Sequence, residues 1–257
     1  MPIINFNIDA LSSMKKYPKT LSYKGDLSLL KRPKVSIVGS RRPSSYSKLY
    51  TTKLSKELTS RGVVIVSGGA MGIDSIAHHG AGVSNTIAIY ATGIDIKYPV
   101  VNKTLLENIE NNGLVISQFD DDFKATSWSF VTRNELVVAL GDILIVCEAD
   151  LKSGSMRSVE YALKMEKEIF VLPHRLGDSE GTNELLKKGL ATPILDIDKF
   201  CLRFGLSIDS DIPKDDFFYF CQTFPTLNDA VNKFGQRVYE AELEGIINID
   251  NGVISLI

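Results

Sequence analysis

Val63–Ala77 reads VVIVSGGAMGIDSIA, and this stretch decides the fold. Its first four residues are β-branched and apolar, which is typical of a buried strand in a parallel sheet. Ser67, Gly68 and Gly69 form a tight turn, and Gly72 precedes a predicted helix. A glycine turn followed by a helix N-terminus presents backbone N–H groups to an anion, most often a phosphate. The alternative is that the turn needs glycine only for its own geometry, and this stretch alone leaves both interpretations open.

The same order of strand, turn and helix continues through most of the chain. Alternation of this kind predicts an α/β fold, a parallel sheet with helices on both faces. Ligands of such sheets bind at the carboxyl ends of the strands, where the glycine turns of this sequence fall. The predicted strands are 35–38, 63–66, 86–90, 114–117, 142–148 and 168–172, and the predicted helices are 44–61, 72–77, 102–112, 130–140 and 153–167, with a polar loop at 118–129 and a last turn at 181–183.

Composition shifts divide the chain into three parts. Residues 1–34 are polar and basic and are predicted to be a partly ordered lead-in, and residues 35–206 hold the sheet. Residues 207–257 show three short helical patterns and a hairpin signal around Asn251-Gly252, which suggests a winged-helix-like module. This module is acidic, and phosphate contacts need Lys and Arg, so we expect it to contact protein instead of duplex DNA.

Charge is unevenly distributed although the net charge is only −2. Residues 14–56 hold twelve basic side chains against Asp26 alone, a net charge of +11, whereas residues 207–257 carry −6. An asymmetry of this size favours a polyanionic partner for the basic part, and the alternative is a solvated basic surface. The basic residues are Lys15, Lys16, Lys19, Lys24, Lys31, Arg32, Lys34, Arg41, Arg42, Lys48, Lys53 and Lys56.

Several functional classes are disfavoured by the sequence. No apolar run is long enough to span a membrane and no signal peptide is recognisable, so we expect a cytoplasmic protein. Cys147, Cys201 and Cys221 lack metal-ligand spacing, and we predict no metal and no cofactor. The glycines do not form GxGxxG, no carboxylate ends the next strand, and no Walker motif occurs, which argues against a nicotinamide or nucleotide-hydrolysing site.

Candidate catalytic residues are few. His78 follows the glycine turn on a predicted helix, without a partner motif, and we expect it to pack or to make a local hydrogen bond. Glu160 lies one helical turn after a glycine turn at Ser153–Ser155. It leaves open a second function, that of a nucleotide-cleaving enzyme similar to the phosphoribohydrolases, with Glu160 as the catalytic residue. We otherwise predict no catalytic residue.

Cationic and aromatic residues gather at the predicted strand ends. Arg41 and Arg42 follow the first strand, and arginine makes bidentate contacts with phosphate. Trp128 and Phe130 precede Arg133-Asn134, a combination that can stack a base and hold its phosphate, although each aromatic taken alone is as readily explained by core packing. Together these turns predict a groove for a single strand of nucleic acid.

These residues resemble the DNA-processing protein A family, also called DprA or Smf. The matching segments keep the family's order and spacing along the chain. They are VGSRRPS at 38–44, SGGAMGIDSIAHHGA at 67–81, GIDIKYP at 93–99, FVTRNELVVALGDILIVCEA at 130–149, SGSMRSVEYAL at 153–163 and GTNELL at 181–186.

The resemblance implies an extended Rossmann-like domain that binds single-stranded DNA without catalysis. It also implies a homodimer that protects incoming DNA and helps to load the RecA recombinase in natural transformation. The DNA contacts that it implies are Gly39, Ser40, Arg41, Arg42, Ser67, Gly68, Gly69, Gly72, Phe130, Arg133 and Asn134, together with Ser153, Gly154 and Ser155.

One position departs from the family pattern. Members often carry a lysine three residues before the phenylalanine that matches Phe130, and this chain has Ser127 there. Either Lys97 or Lys124 replaces that lysine or the affinity for DNA is lower, and Trp128 is a further candidate contact.

Overall fold

The computed structural model describes residues 2–205, 215–221, 223, 225–243, 246–250 and 252–256. Contacts divide the chain into two compact units, Met1–Ile197 and Asp198–Ile257. The predicted boundary between residues 206 and 207 lies outside the described residues. In the described part of the chain, no helix is both long and apolar enough to cross a membrane.

The larger unit is built from eight strands and the helices between them. The strands are β1 (Ser22–Gly25), β2 (Lys34–Val38), β3 (Val64–Ser67), β4 (Thr86–Ile89), β5 (Leu114–Ser117), β6 (Ile143–Val146), β7 (Ile169–Val171) and β8 (Thr192–Pro193). The helices are α1 (Ser45–Thr59), α2 (Ile73–Ala81), α3 (Lys103–Asn112), α4 (Ser127–Leu140), α5 (Gly154–Lys164), α6 (Glu180–Lys187) and α7 (Ile197–Cys201), the last ending in the smaller unit.

One sheet contains all eight strands, in the order β1-β5-β4-β3-β2-β6-β7-β8. Every neighbouring pair is parallel except β1 and β5, which are antiparallel. In the centre Val35 of β2 pairs with Ile65 of β3 on one side and with Ile143 of β6 on the other. The order reverses between β2 and β6, which is where ligands bind in sheets of this class. The predicted Rossmann-like parallel sheet is therefore confirmed.

Helices cover both faces of the sheet, as predicted. Ile87 and Ile89 of β4 pack in one core cluster with α4 and α5, whereas Ala88 packs with Leu106 of α3. Alternate residues of a strand point to opposite faces, so these two clusters lie on opposite sides of the sheet. Burial on both sides explains why the central strands are continuous apolar runs.

The N-terminal segment differs from the predicted lead-in, because it is part of the core. Its backbone adds β1 to the sheet edge beside β5, and Ile4 N donates to Leu21 O across 2.9 Å. An antiparallel edge strand of four residues has no long apolar run, so its sequence SYKG gives little strand signal. The buried apolar residues of this segment are Ile4, Ile8, Leu11, Met14, Leu21 and Leu29.

Two further boundaries differ from the predicted ones. The loop expected over 118–129 ends earlier, because Thr126 caps α4 through a capping box in which it exchanges hydrogen bonds with Ser129. The last turn expected at 181–183 is instead the start of α6, which runs from Glu180 to Lys187. Gly181 is needed there because a Cβ would lie 2.6 Å from the Ala149 carbonyl oxygen.

Besides the end of α7, the described residues of the smaller unit form three helices and a hairpin. They are α8 (Asp216–Cys221), α9 (Leu227–Phe234), α10 (Arg237–Leu243), β9 (Ile247–Asp250) and β10 (Val253–Leu256). Phe217, Val238 and Ile254 belong to its core, and Thr226 caps α9. The elements agree with the predicted pattern, but the winged-helix arrangement itself is not established. Asn251 of the predicted turn lies outside the described residues.

Candidate functional site

A cleft of about 660 Å³ opens at the carboxyl ends of β2, β3 and β6, beside α4 and the start of α5. It lies where the strand order reverses, between β2 and β6. The predicted site residues that line it are Gly39, Ser40, Arg41, Arg42, Gly68, Phe130, Arg133, Asn134, Ser153, Gly154 and Ser155. Ser67, Gly69, Gly72, Lys97, Lys124 and Trp128 are not among its lining residues.

The turn after β2 is fixed by backbone hydrogen bonds on both sides. Ser40 N donates to Glu148 O across 2.8 Å, and Ile73 N donates to Ser40 O across 3.0 Å. Gly39 allows this approach, because a Cβ would lie 2.6 Å from Cγ1 of Ile73. The side chains of Arg41 and Arg42 are left exposed at the edge of the cleft. The turn thus presents two cations on a rigid backbone.

The glycine turn after β3 is closely packed against its neighbours. Ser67 is buried, and its Oγ donates to Ile37 O across 2.6 Å. Gly69 and Gly72 have φ values of +70° and +81°, which side chains rarely adopt. A Cβ on Gly72 would also lie 2.3 Å from Ser40 O. Ser67, Gly69 and Gly72 therefore fix the shape of the turn behind the cleft wall.

An internal carboxylate occupies the start of α2, where the sequence suggests a phosphate. Asp74 is buried, and its Oδ2 accepts a hydrogen bond from Ala70 N at 3.4 Å. Arg133 Nη1 lies 3.8 Å from the same oxygen. Burial raises the pKa of the Asp74 carboxyl, and the Arg133 charge opposes that rise. The positive end of the α2 dipole is therefore compensated from within the protein.

Arg133 is buried, at 4% exposed, unlike Arg41 and Arg42. Its guanidinium passes directly over Gly68, where a Cβ would lie 1.2 Å from Nη1. Nη1 also donates to Ile89 O across 3.3 Å. Burial lowers the pKa of Arg133, and the neighbouring Asp74 opposes that shift. Arg133 reaches the cleft as part of its floor, whereas Arg41 and Arg42 stand at its edge.

Phe130 forms an aromatic wall of the cleft. Its ring centre lies 5.8 Å from that of Tyr98, and Arg41 Cζ lies 5.2 Å from it. Arg133 Cζ lies 5.9 Å from the same centre on the floor side. Arginine and tyrosine around one ring form a surface on which a flat ligand can stack. Tyr98 was not predicted as a site residue, although it follows Lys97 in a quoted motif.

The start of α5 also lines the cleft. Asn134 of α4 holds it in place, since its Nδ2 donates to Gly154 O across 3.4 Å. The Oγ atoms of Ser153 and Ser158 are buried and have no hydrogen-bond partner among the described residues. Orphaned hydroxyls at an uncapped helix N-terminus suit an anionic ligand. Ser158 was missed by the sequence reasoning, although its spacing of four from Gly154 puts it on the same helix face.

The remaining predicted cations differ in availability. Lys97 Nζ is 3.1 Å from Glu110 Oε1, which ties it to α3. Lys124 is exposed on the loop before α4. Within the basic N-terminal stretch, Lys34 is buried and Lys24 is 3.0 Å from Asp95, so only part of the predicted charge is free for a partner.

The two candidate catalytic residues lie outside the cleft. Glu160 is exposed on α5 and accepts two hydrogen bonds from Arg157 Nη1, at 3.0 and 2.9 Å. His78 is fully buried, and its Nδ1 lies 2.6 Å from Thr86 Oγ1, in agreement with the predicted local hydrogen bond. In the part of the chain that the structure describes, no cluster of three or more His, Cys, Asp or Glu residues could hold a metal.

Comparison with known proteins gives the family of the chain. Residues 8–205 match the family model described as DNA recombination-mediator protein A. The chain is 38% identical over 183 residues to DNA processing protein DprA of Streptococcus pneumoniae, covering 70% of this chain and 64% of that protein. It is 34% identical over 211 residues to protein Smf of Escherichia coli, covering 79% and 56%. The chain thus matches less than two thirds of the length of these relatives.

Two solved structures are similar to the fold. DNA processing protein A of Helicobacter pylori, described for its single-stranded DNA binding mode, superposes with a TM-score of 0.77 and 45% identity over 79% of this chain and 94% of that one. The DprA structure from Streptococcus pneumoniae gives a TM-score of 0.73 and 33% identity over 80% of this chain and 74% of that one.

Proposed function

Because the chain belongs to the DNA recombination-mediator protein A family, we propose that it binds single-stranded DNA in the cleft between β2 and β6. The Helicobacter pylori relative, at 45% identity, is described as binding single-stranded DNA, and this supports the proposal. The observation that carries it is the pairing of two exposed arginines with an uncapped helix N-terminus across one cleft. Both features suit phosphates, and Phe130 lies between them for a base.

The cleft residues then have distinct roles. Arg41 and Arg42 take phosphates at the edge, since arginine is always charged and offers a bidentate donor pair. Ser40 Oγ holds the turn by accepting from Arg42 N across 3.1 Å. A further phosphate lies at the start of α5, where Ser153, Gly154 and Ser155 meet the cleft.

Other predicted contacts act indirectly in this proposal. Ser67, Gly69 and Gly72 shape the floor, and Gly39 and Gly68 let the backbone and Arg133 approach it. Asn134 positions the start of α5. Lys124, being exposed, is the candidate to replace the family lysine absent at Ser127, and Lys97 is not, because Glu110 holds it.

The wider role rests on family resemblance. We propose that the protein protects incoming DNA and helps to load the RecA recombinase in natural transformation, acting as a homodimer without catalysis. The acidic residues 207–257 are proposed to form a winged-helix-like module that contacts protein, and residues 35–206 to bind the DNA. Deleting that module should weaken recombinase capture in a pull-down while leaving DNA binding intact.

The competing function is a nucleotide-cleaving enzyme that uses Glu160. Its position outside the cleft and its pairing with Arg157 disfavour that role, since a general acid or base must reach a substrate bound in the cleft. Incubation with nucleoside monophosphates tests it directly. Release of free base that is lost in Glu160→Gln would replace the binding proposal by the enzymatic one.

The main test is fluorescence anisotropy with a labelled poly-dT oligonucleotide at several salt concentrations. Arg41→Ala/Arg42→Ala should lower the affinity and should flatten the dependence of log K on log salt by about 0.7 for each lost phosphate contact. Arg157→Ala is the matched control, because Arg157 is an exposed arginine that does not line the cleft. A double variant that binds with the affinity and salt slope of the control would refute the placement of phosphates at this turn.

A further inference from the structure

We propose that Phe119, Phe123 and Trp128 form a second base-stacking site for single-stranded DNA, outside the cleft. These three residues, here called the aromatic trio, lie on the loop before α4 and on its first turn. The proposal rests on the proposed function, since it extends the path of the same DNA strand. It adds a site to the residues that line the cleft.

The rings of the aromatic trio support one another. Phe119 and Phe123 are stacked, with ring centres 4.8 Å apart and an interplanar angle of 17°. Trp128 meets both at 5.6 Å with steep angles of 75° and 64°. Even so, Trp128 is 54% exposed, because the two phenyl rings cover only part of its indole. A large aromatic side chain held by neighbours and still open to solvent is a platform for a flat apolar ligand.

The backbone beneath the trio is fixed before any ligand arrives. Gly93 N donates to Phe123 O across 2.8 Å, and Phe123 N donates to Asp120 O across 2.9 Å. Gly93 is required for this contact, because a Cβ there would lie 2.1 Å from Asp120 O. The Thr126 capping box then fixes the first turn of α4, which carries Trp128. The loop therefore needs little further ordering when a base binds, and this favours affinity.

The trio is continuous with the cleft along α4. Ser127 and Val131 both line the cleft, and Trp128 lies directly after the first and three residues before the second. Residues three apart lie on the same side of a helix, so Trp128 and Val131 are neighbours on its surface. A strand that passes Phe130 in the cleft can therefore extend to Trp128 without leaving α4.

Charge around the trio indicates which part of the nucleotide it binds. Asp120 and Asp122 are exposed on the same loop, and Lys124 is the exposed cation beside them. The two carboxylates repel phosphates from the rings of the trio, so on this loop a phosphate is expected only at Lys124. A nucleobase has an uncharged π-face that stacks on aromatic side chains. The ligand of the trio is therefore a base whose phosphates are held elsewhere, at the cleft.

Trp128 is the single tryptophan of the chain, so its emission reports on this site alone. Poly-dT should quench the emission at the concentrations at which anisotropy shows binding, because the base stacks on the indole. An oligonucleotide of the same length with abasic sites should bind without quenching. Trp128→Leu should weaken poly-dT binding about tenfold, the order expected for one stacked base, and should leave the salt slope unchanged. Tyr219→Leu is the matched control, an aromatic with 55% exposure in the smaller unit.

The outcomes separate this inference from the proposed function. Binding with unchanged Trp128 emission and an unaltered affinity in Trp128→Leu would overturn the stacking site and leave the cleft proposal standing. Loss of salt slope in Trp128→Leu would overturn it as well, because phosphate contacts would then be involved. Absence of binding in the parent chain would overturn both. The emission measurement uses the parent chain without a substitution, so it tests the stacking site even if Trp128→Leu folds poorly.

Discussion

Gly68→Ala is expected to destabilise the protein strongly although it adds one methyl group. The new Cβ would lie 1.2 Å from Nη1 of Arg133, 2.1 Å from its Cζ and 2.7 Å from its Nη2. All three contacts are with one guanidinium, so the clash is relieved only if that group leaves its place. The Gly68 backbone is not in the left-handed region, and the substitution therefore carries no backbone strain of its own.

The loss of stability follows from the contacts that Arg133 would give up. Asp74 loses the partner 3.8 Å away and stays buried, and Ile89 O loses a hydrogen bond. Breaking a buried ion pair by removing one partner costs about 3–5 kcal/mol. The lower end of this range applies, because the Arg133 guanidinium can move into the cleft and be hydrated there. A loss of about 3 kcal/mol corresponds to a fall in Tm of about 6–12 °C for a chain of this length.

Thermal and urea unfolding measure this effect without any ligand. Gly154→Ala is the matched control, since a Cβ there meets nothing within 4 Å, and it should be neutral or slightly stabilising. A double-mutant cycle gives the sharper test. In Gly68→Ala/Arg133→Ala the methyl fills space that the guanidinium has vacated, so the double variant should be no less stable than Arg133→Ala alone. Additive losses would refute the assignment of the cost to the displaced guanidinium.

Burial lowers the pKa of His78 from 6.5 to about 3. As the pH falls, His78 therefore takes up a proton in the unfolded chain before it does so in the folded one. The free energy of unfolding should then fall between pH 6.5 and pH 3. Urea unfolding of the parent and of His78→Gln should therefore diverge by up to about 1.4 kcal/mol per pH unit in this window, and parallel curves would contradict it. Lys97→Ala should change poly-dT affinity less than Lys124→Ala, because Glu110 holds Lys97 at 3.1 Å whereas Lys124 is exposed. The reverse order in anisotropy titrations would show that Lys97 exchanges Glu110 for phosphate.

Much of the fold was predictable because its signals are local. The central strands are apolar runs bounded by turns, and Ser44 caps α1 as expected from its residue type. The edge strand β1 was not predictable, since its partner β5 lies about ninety residues away and supplies the pairing that SYKG does not encode. The start of α4 was missed because Ser129, not the usual Glu or Gln, completes the capping box with Thr126.

The sequence predicts that the site lies at the strand ends, but it does not predict which of the site residues are buried. Topology brings the turns after β2 and β3 to one edge, so Arg41 and Gly68 had to be neighbours. Which arginine is exposed depends on packing at long range, and sequence cannot show that Gly68 makes room for Arg133. An arginine is almost never fully buried unless it is paired, and the partner of Arg133, Asp74, is distant from it in the sequence.

The position of Asp74 argues against a phosphate at the glycine turn after β3, although the predicted contacts of that turn stay a prediction. It lies two residues after Gly72, in the first turn of α2, where an acidic side chain already satisfies the helix dipole. A phosphate at that turn would have to displace a buried carboxylate from Ala70 N and from Arg133, and like charges would oppose its entry. At the start of α5 the nearby carboxylate that lines the cleft, that of Asp150, is exposed and not buried. Ser153 makes no cap there, and the Ser158 hydroxyl lacks a partner among the described residues. Of the starts of α2 and α5, we therefore expect that of α5 to take an external phosphate, and we expect the strand to run between it and the exposed arginines.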